Sequence, residues 1–154
     1  MKNSVIMVAL VASLIFAYFS IDFNSLMSYE QKDVKFITQH NDCDLHTEPC
    51  QIVLENGSSF ELEVSEKDIP LMKPVKFTVT TNNYNKPTLP LHIYATNMHM
   101  GIQNFEFKKV KENVYESNVI LPTCIRGNMK WNAEIILEES QKRVGAKFQF
   151  KTEH

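Results

Sequence analysis

Hydrophobic and polar residues alternate with a period of two along most of the chain after residue 33, which predicts β-strands. The alternation is clearest at residues 129–137, where Trp131, Ala133 and Ile135 share one face and mostly polar residues occupy the other. We therefore expect one buried and one mostly solvated face in this strand. The same pattern predicts strands over residues 60–64, 75–80 and 144–151, and less regular strands over 51–55, 89–96, 104–111 and 114–121.

Short runs rich in Asn, Gly and Pro separate these segments, as turns between strands require. No segment after residue 21 keeps a helical period. About seven or eight short strands at this spacing predict an all-β fold, an immunoglobulin-like β-sandwich. A small closed barrel is the alternative arrangement.

The segment 4–21 contains no charged residue and is strongly apolar. A helix needs roughly 20 apolar residues to cross a bilayer, so this segment is long enough to be a transmembrane helix. A cleaved signal peptide is the alternative, but the apolar run exceeds an ordinary signal h-region and no small-residue cleavage site follows it. We predict an uncleaved N-terminal signal-anchor helix over residues 1–21, a juxtamembrane linker over 22–33 and a folded domain over 34–154.

The charges on either side of the apolar segment predict its orientation. Lys2 precedes the run, and Asp22 is the first charged residue after it. By the positive-inside rule the N-terminus is cytoplasmic and the folded domain is extracytoplasmic. We therefore expect a single-pass protein of the inner (cytoplasmic) membrane, with its C-terminal domain in the periplasm if the cell is Gram-negative.

Composition limits the functional classes. Hydrophobic residues make up 44% of the chain, charged residues 22%, and the net charge is −2, as in an ordinary globular domain. The chain has no basic block, which argues against a nucleic-acid partner because phosphate binding needs clustered Lys and Arg. It also has no nucleophile-elbow motif or phosphate-binding glycine loop, so we expect a binding protein and not an enzyme.

The three cysteines, Cys43, Cys50 and Cys124, introduce redox and metal chemistry. In an extracytoplasmic domain a disulfide is the default, and Cys43–Cys50 would close a short loop. The pairings Cys50–Cys124 and Cys43–Cys124 remain open at this point, and every pairing leaves one thiol over. The alternative is a Cys3His zinc site that includes His46, although the spacing matches no standard zinc module.

The second group of candidate ligands is Met98, His99 and Met100. Alternate side chains of an extended chain share a face, so the two thioethers would project together and His99 would point away. Paired thioethers are soft donors that suit Cu(I), and imidazole is a good companion ligand. His92 and Met129 would complete such a site if the loops near them converge. The alternative is that the methionines simply fill the core.

Three segments carry a resemblance to known proteins: PVKFTVTT at 74–81, TNMHMGIQNFEFKKVKENVYESNVILP at 96–122 and CIRGNMKWNAEIIL at 124–137. They resemble the exported domains of the FixH- and YtkA-like families. Those domains combine one N-terminal helix, a small β-sandwich, an M-x-M-G segment and a strand pair containing LP, Gly and Trp. The resemblance covers roughly residues 60–150. The chain departs from it by carrying Cys124 and the Cys43/Cys50 pair, and by having only a small set of methionines.

The resemblance implies copper handling, or maturation of membrane cuproenzymes such as terminal oxidases. Carried over by position, it implies Met98, His99, Met100 and Met129 as copper ligands. We therefore expect a membrane-anchored β-sandwich that binds copper and has a membrane cuproenzyme or copper-handling protein as its partner. One alternative is a metal-free interaction module of a membrane complex. Another is a thiol–disulfide protein that uses the remaining cysteine, although the chain lacks a C-x-x-C motif.

Overall fold

The computed structural model describes residues 34–125, 127–139 and 142–153, together with Met7. Apart from Met7, the predicted signal-anchor helix (1–21) and linker (22–33) lie outside the described residues. The chain from residue 33 onwards forms a compact unit by itself. Within the part of the chain that the structure describes, no helix has the length and apolarity needed to span a membrane.

The described residues between 34 and 152 form β-strands joined by turns and loops. The strands are β1 (Val34–Thr38), β2 (Cys50–Val53), β3 (Ser59–Val64), β4 (Pro74–Asn82), β5 (Thr88–Ala95), β6 (Ile102–Lys111), β7 (Val114–Ile120), β8 (Met129–Glu139) and β9 (Lys142–Thr152). They belong to one nine-stranded sheet in the order β1-β9-β8-β5-β6-β7-β4-β3-β2. β1 runs parallel to β9, and the other neighbouring strands of this sheet are antiparallel. The all-β prediction is confirmed, with one strand, β1, that the alternation did not predict.

The sheet is nearly closed, because its two end strands approach each other. Lys35 on β1 forms an ion pair with Glu55, which follows β2. The curled sheet encloses one hydrophobic core that contains side chains from β2 to β9. Trp131 lies in this core at 1% exposure, as expected, and its indole Nε1–H donates to Thr152 Oγ1 at 3.0 Å. Each large apolar side chain buried in this way stabilises the fold by about 1.5–3 kcal/mol.

The predicted solvated face of β8 is wrong, because the outward side chains Asn132, Glu134 and Ile136 are also buried. β8 lies between β5 and β9, and long side chains from both neighbours cover its outer face. The carboxylate of Glu134 accepts a hydrogen bond from Tyr94 Oη at 2.7 Å and lies 3.1 Å from Lys147 Nζ. These partners satisfy a charge that would otherwise be costly to bury.

Four loops lie at one end of the sheet because successive strands alternate in direction. At this end Ala95, the last residue of β5, pairs with Trp131 near the start of β8. The backbone N–H of Met72 donates to the carbonyl oxygen of Leu121 at 2.8 Å, which joins two of the loops. We call this the loop end; it comprises residues 39–49, 65–73, 96–101 and 121–128.

Candidate functional site

Two of the loops at the loop end, 96–101 and 121–128, are joined by the side chain of Asn97. Its Nδ2 donates to the carbonyl oxygen of Asn128 at 3.0 Å. Its Oδ1 accepts from the backbone N–H of Lys130 at 3.1 Å. The 96–101 loop, which we call the methionine loop, therefore converges with the segment before Met129, and the side-chain amide of Asn97 joins the two.

The M-x-M segment alternates as expected. Met98 and Met100 are half-buried and pack against the hydrophobic core, whereas His99 between them is exposed. Gly101 follows with φ +72°, in the left-handed region that favours glycine, and turns the chain into β6. The two thioethers therefore lie at the boundary between core and solvent, and the imidazole lies in solvent.

Cys124, on the converging loop, lies directly against this segment. Its side chain is 7% exposed, and its Sγ lies 2.8 Å from Met98 Sδ, with the thiol donating. A turn fixes the backbone here, since the N–H of Gly127 donates to the carbonyl oxygen of Cys124 at 3.1 Å. The sequence placed Cys124 among the disulfide candidates, so this sulfur–sulfur contact was not expected. Only its position, shortly before the strand that carries Met129, hinted at it.

The other two predicted ligands have different surroundings. His92 lies within β5, four residues before the methionine loop, or about 13 Å away at 3.3 Å per residue. Its Nδ1 lies 2.6 Å from Asn104 Oδ1. Met129 is fully buried in the core at the start of β8. The structure therefore brings Met98 against Cys124, keeps Met100 half-buried on the same loop with His99 on the solvent side, and leaves His92 on another part of the sheet.

The disulfide joins Cys43 to Cys50, with a Cα–Cα distance of 5.8 Å that is usual for such bridges. This confirms the default pairing and excludes Cys50–Cys124 and Cys43–Cys124. The Cys3His zinc hypothesis is wrong for the same reason, because two of its sulfur atoms are bonded to each other. Among the described residues, no group of three or more His, Cys, Asp and Glu side chains is arranged to hold a metal ion.

His46, the fourth member of that hypothetical zinc site, has a structural position. Its Nδ1 lies 2.5 Å from the carbonyl oxygen of Lys67, and its Nε2 lies 2.8 Å from that of Lys151. The ring therefore links the disulfide loop to the 65–73 loop and to the end of β9. Both ring nitrogens are occupied by the backbone and are not directed at a common ligand position.

An open cleft of about 1230 Å³ lies beside the start of the 96–101 loop. Its lining includes Thr96, Lys130 and several residues of the 39–49 loop that contains Cys43. Its lining contains four carboxylate side chains and two lysines, so acidic groups are in excess. On the rim, the hydrogen bond from His40 holds the pKa of the Asp42 carboxyl below its ordinary value, although both groups are exposed.

Comparisons with known proteins do not assign the chain to a family. No family model matches it, and no curated protein matches it. Among solved structures it is similar to a DUF4785 family protein from Legionella pneumophila subsp. pneumophila strain Philadelphia 1, with a TM-score of 0.40 and 13% identity. The similarity covers 62% of this chain and 28% of that one, and at this level it carries no argument. The resemblance to the FixH- and YtkA-like families stays a prediction.

Proposed function

We propose that the protein is a membrane-anchored extracytoplasmic domain that binds copper as Cu(I) and assists the assembly of a membrane cuproenzyme such as a terminal oxidase. The observation that carries the proposal is the pair of thioethers on the 96–101 loop, which the hydrogen bonds of Asn97 hold in place. Met98 and Met100 both lie half-buried against the core, so both are held on one side of the loop and remain within reach of solvent. In this proposal the protein binds copper and transfers it to a partner, and it catalyses no reaction.

The chemistry of these side chains favours Cu(I). Thioethers are soft, neutral donors, and such donors select Cu(I) over harder ions. The exposed imidazole of His99 lies between them in sequence and is positioned to meet an incoming or departing ion first. The two hydrogen bonds of Asn97 hold the loop before metal binds, which lowers the ordering cost of binding.

The Cys43–Cys50 disulfide supports an extracytoplasmic location, because disulfides persist mainly in oxidising compartments. The apolar segment 4–21 supports the membrane anchor. A tether would restrict the domain to the membrane surface and raise its effective concentration near a membrane-bound acceptor. The periplasmic side of the inner membrane is the proposed location in a Gram-negative cell.

We also propose that the curled sheet is an immunoglobulin-like sandwich. Its support is the strand order: β3-β4-β7 and β9-β8-β5 correspond to the A-B-E and G-F-C strands of that fold. β6 would then connect the two layers, and β1 would extend the second layer beside β9. An experimental structure with two facing layers would support this assignment, and an evenly round barrel would contradict it.

The copper proposal is tested by titrating the full-length protein in detergent with Cu(I), without oxygen, against a chromophoric Cu(I) chelator. The variant Met98→Leu with Met100→Leu should bind at least about tenfold more weakly, a change of about 1.4 kcal/mol. It should stay folded, because Leu for Met usually costs less than about 1.5 kcal/mol per site. Met72→Leu is the matched control, since Met72 is also at the loop end and is 64% exposed. Wild-type protein that retains no copper after desalting would contradict the proposal.

The second candidate function is a metal-free interaction module. Its support is the exposed apolar surface at the loop end, where Ile125 is fully exposed and Met72 is 64% exposed. Exposed apolar side chains grouped at one end of a domain are typical of contact surfaces. This function predicts that a membrane protein co-purifies with the chain and that Ile125→Asp releases it. The double methionine variant would then retain the partner as well as the wild type does.

A further inference from the structure

We propose that Cys124 is a ligand of the same Cu(I) ion, so that the core of the site is one thiolate and one thioether from two different loops. This inference rests on the proposed copper function and specifies its ligands. It begins from the contact between Cys124 Sγ and Met98 Sδ at 2.8 Å. Paired sulfur donors, one of them able to carry a negative charge, form the set that Cu(I) prefers.

The two sulfur atoms are held together from both sides by the backbone. Asn97, next to Met98, is hydrogen-bonded to the carbonyl oxygen of Asn128. On the other loop, the turn closed by Gly127 fixes the backbone of Cys124. The neighbouring Ile125 is fully exposed while Cys124 is 7% exposed, so this loop directs position 124 inwards and position 125 outwards. The contact thus follows from the way the loops are anchored.

The geometry needs only a small adjustment to accept an ion. With metal–sulfur bonds of about 2.3 Å and a tetrahedral angle, two sulfur ligands lie about 3.8 Å apart. The two sulfur atoms are already in contact, so they only have to move apart slightly to admit the ion. Met98 can provide this movement, because methionine has three rotatable side-chain bonds and an unbranched chain. Met100, half-buried on the same loop, is positioned to supply a third sulfur.

The binding step is balanced without a redox partner. As the copper–sulfur bond forms, the Cys124 thiol loses its proton to water, and copper stays Cu(I). The thioether of Met98 donates a lone pair and loses nothing. The thiolate adds a negative charge beside the cation, which the M-x-M segment by itself does not offer. The competing interpretation is that Cys124 is a small core residue whose thiol contacts a methionine.

The experiment uses full-length protein in detergent with the Cys43–Cys50 disulfide intact. Copper is delivered as a Cu(I) acetonitrile complex without oxygen and without thiol reductant, so no other thiol is released. We expect one equivalent of Cu(I) to produce a thiolate-to-copper charge-transfer absorption in the ultraviolet. Cys124→Ser should lose this absorption and bind Cu(I) at least tenfold more weakly. Cys124→Ala should behave in the same way, and thermal melting identifies any variant that does not fold.

The outcomes separate this inference from the proposed function. Wild-type protein that binds Cu(I) without the charge-transfer absorption overturns the ligand role of Cys124 and leaves copper binding in place. A folded Cys124→Ser protein with wild-type affinity does the same. If a Cys124 variant fails to fold, the charge-transfer absorption of the wild-type protein still shows whether Cys124 binds the copper ion. Wild-type protein that binds no Cu(I) overturns the proposed function and this inference together.

Discussion

Replacing Asn97 with alanine tests whether the two loops joined by its side chain organise the proposed copper site. The substitution removes two hydrogen bonds, one to the carbonyl oxygen of Asn128 and one from the N–H of Lys130. Each contributes about 0.5–1.5 kcal/mol, and both are exposed, so the lower end of that range applies and the pair holds the loop by about 1–2 kcal/mol. If this energy orders the loop before metal binds, Asn97→Ala should weaken Cu(I) affinity by about fivefold to thirtyfold.

The assay is the anaerobic chelator competition, combined with thermal melting of the metal-free protein. Asn118→Ala is the matched control, because Asn118 is an exposed residue of β7 and the same atoms are removed. We expect the control to bind like the wild type and both variants to melt within a few degrees of it. Wild-type copper affinity in Asn97→Ala would refute the reasoning, since the loop would then be ordered without this side chain. A large loss of melting temperature would also refute it, because Asn97 would then stabilise the whole fold.

Three further predictions concern stability. Replacing Cys43 and Cys50 by serine should lower the free energy of unfolding by about 2.5 kcal/mol, because a bridge with a sequence separation of 7 removes about that much loop-closure entropy from the unfolded chain. Urea denaturation measures this change, and an unchanged midpoint would contradict the prediction. Gly101→Ala should cost about 1–2 kcal/mol through its positive φ alone, because an added Cβ meets no atom within 4 Å; a neutral effect would show that the loop backbone adapts. Burial, and to a smaller extent the nearby Tyr115, raises the pKa of Tyr84 from 10.0 to about 12. The neutral phenol therefore contributes stability that is fully present below pH 10 and is lost as the pH rises to about 12. Tyr84→Phe should flatten this alkaline loss in denaturation curves, and identical slopes in both proteins would contradict it.

Much of the fold follows from the period of two in the sequence. The alternation at 75–80 and 144–151 lies within β4 and β9 as observed, since a half-buried strand needs apolar side chains on one face only. β1 was missed because it has five residues with no fully buried side chain. Its pairing partner is also distant, since Val34 pairs with Arg143 on β9. A short strand of this kind is defined by its neighbour and not by its own pattern.

The candidate site was predictable only in part. The alternation of Met98 and Met100 against His99 follows from an extended backbone, and the short Cys43–Cys50 loop favoured the disulfide. Both are local properties of the chain. The outer face of β8 was mispredicted because alternation assumes that one face meets water, and the side chains of neighbouring strands cover it here.

The sequence by itself determined the all-β class, the core-facing side of the principal strands and the presence of soft donors next to a glycine bend, because these depend on residues within a few positions of each other. The tertiary structure decided which donors meet. Met98 and Cys124 are 26 positions apart, and their contact depends on the pairing of β5 with β8, which brings their loops to one end. His92, only six positions from Met98, lies elsewhere because a strand carries it about 13 Å away from the loop. Side-chain period fixes the face of a residue, but only the order of strands in the sheet fixes its neighbours.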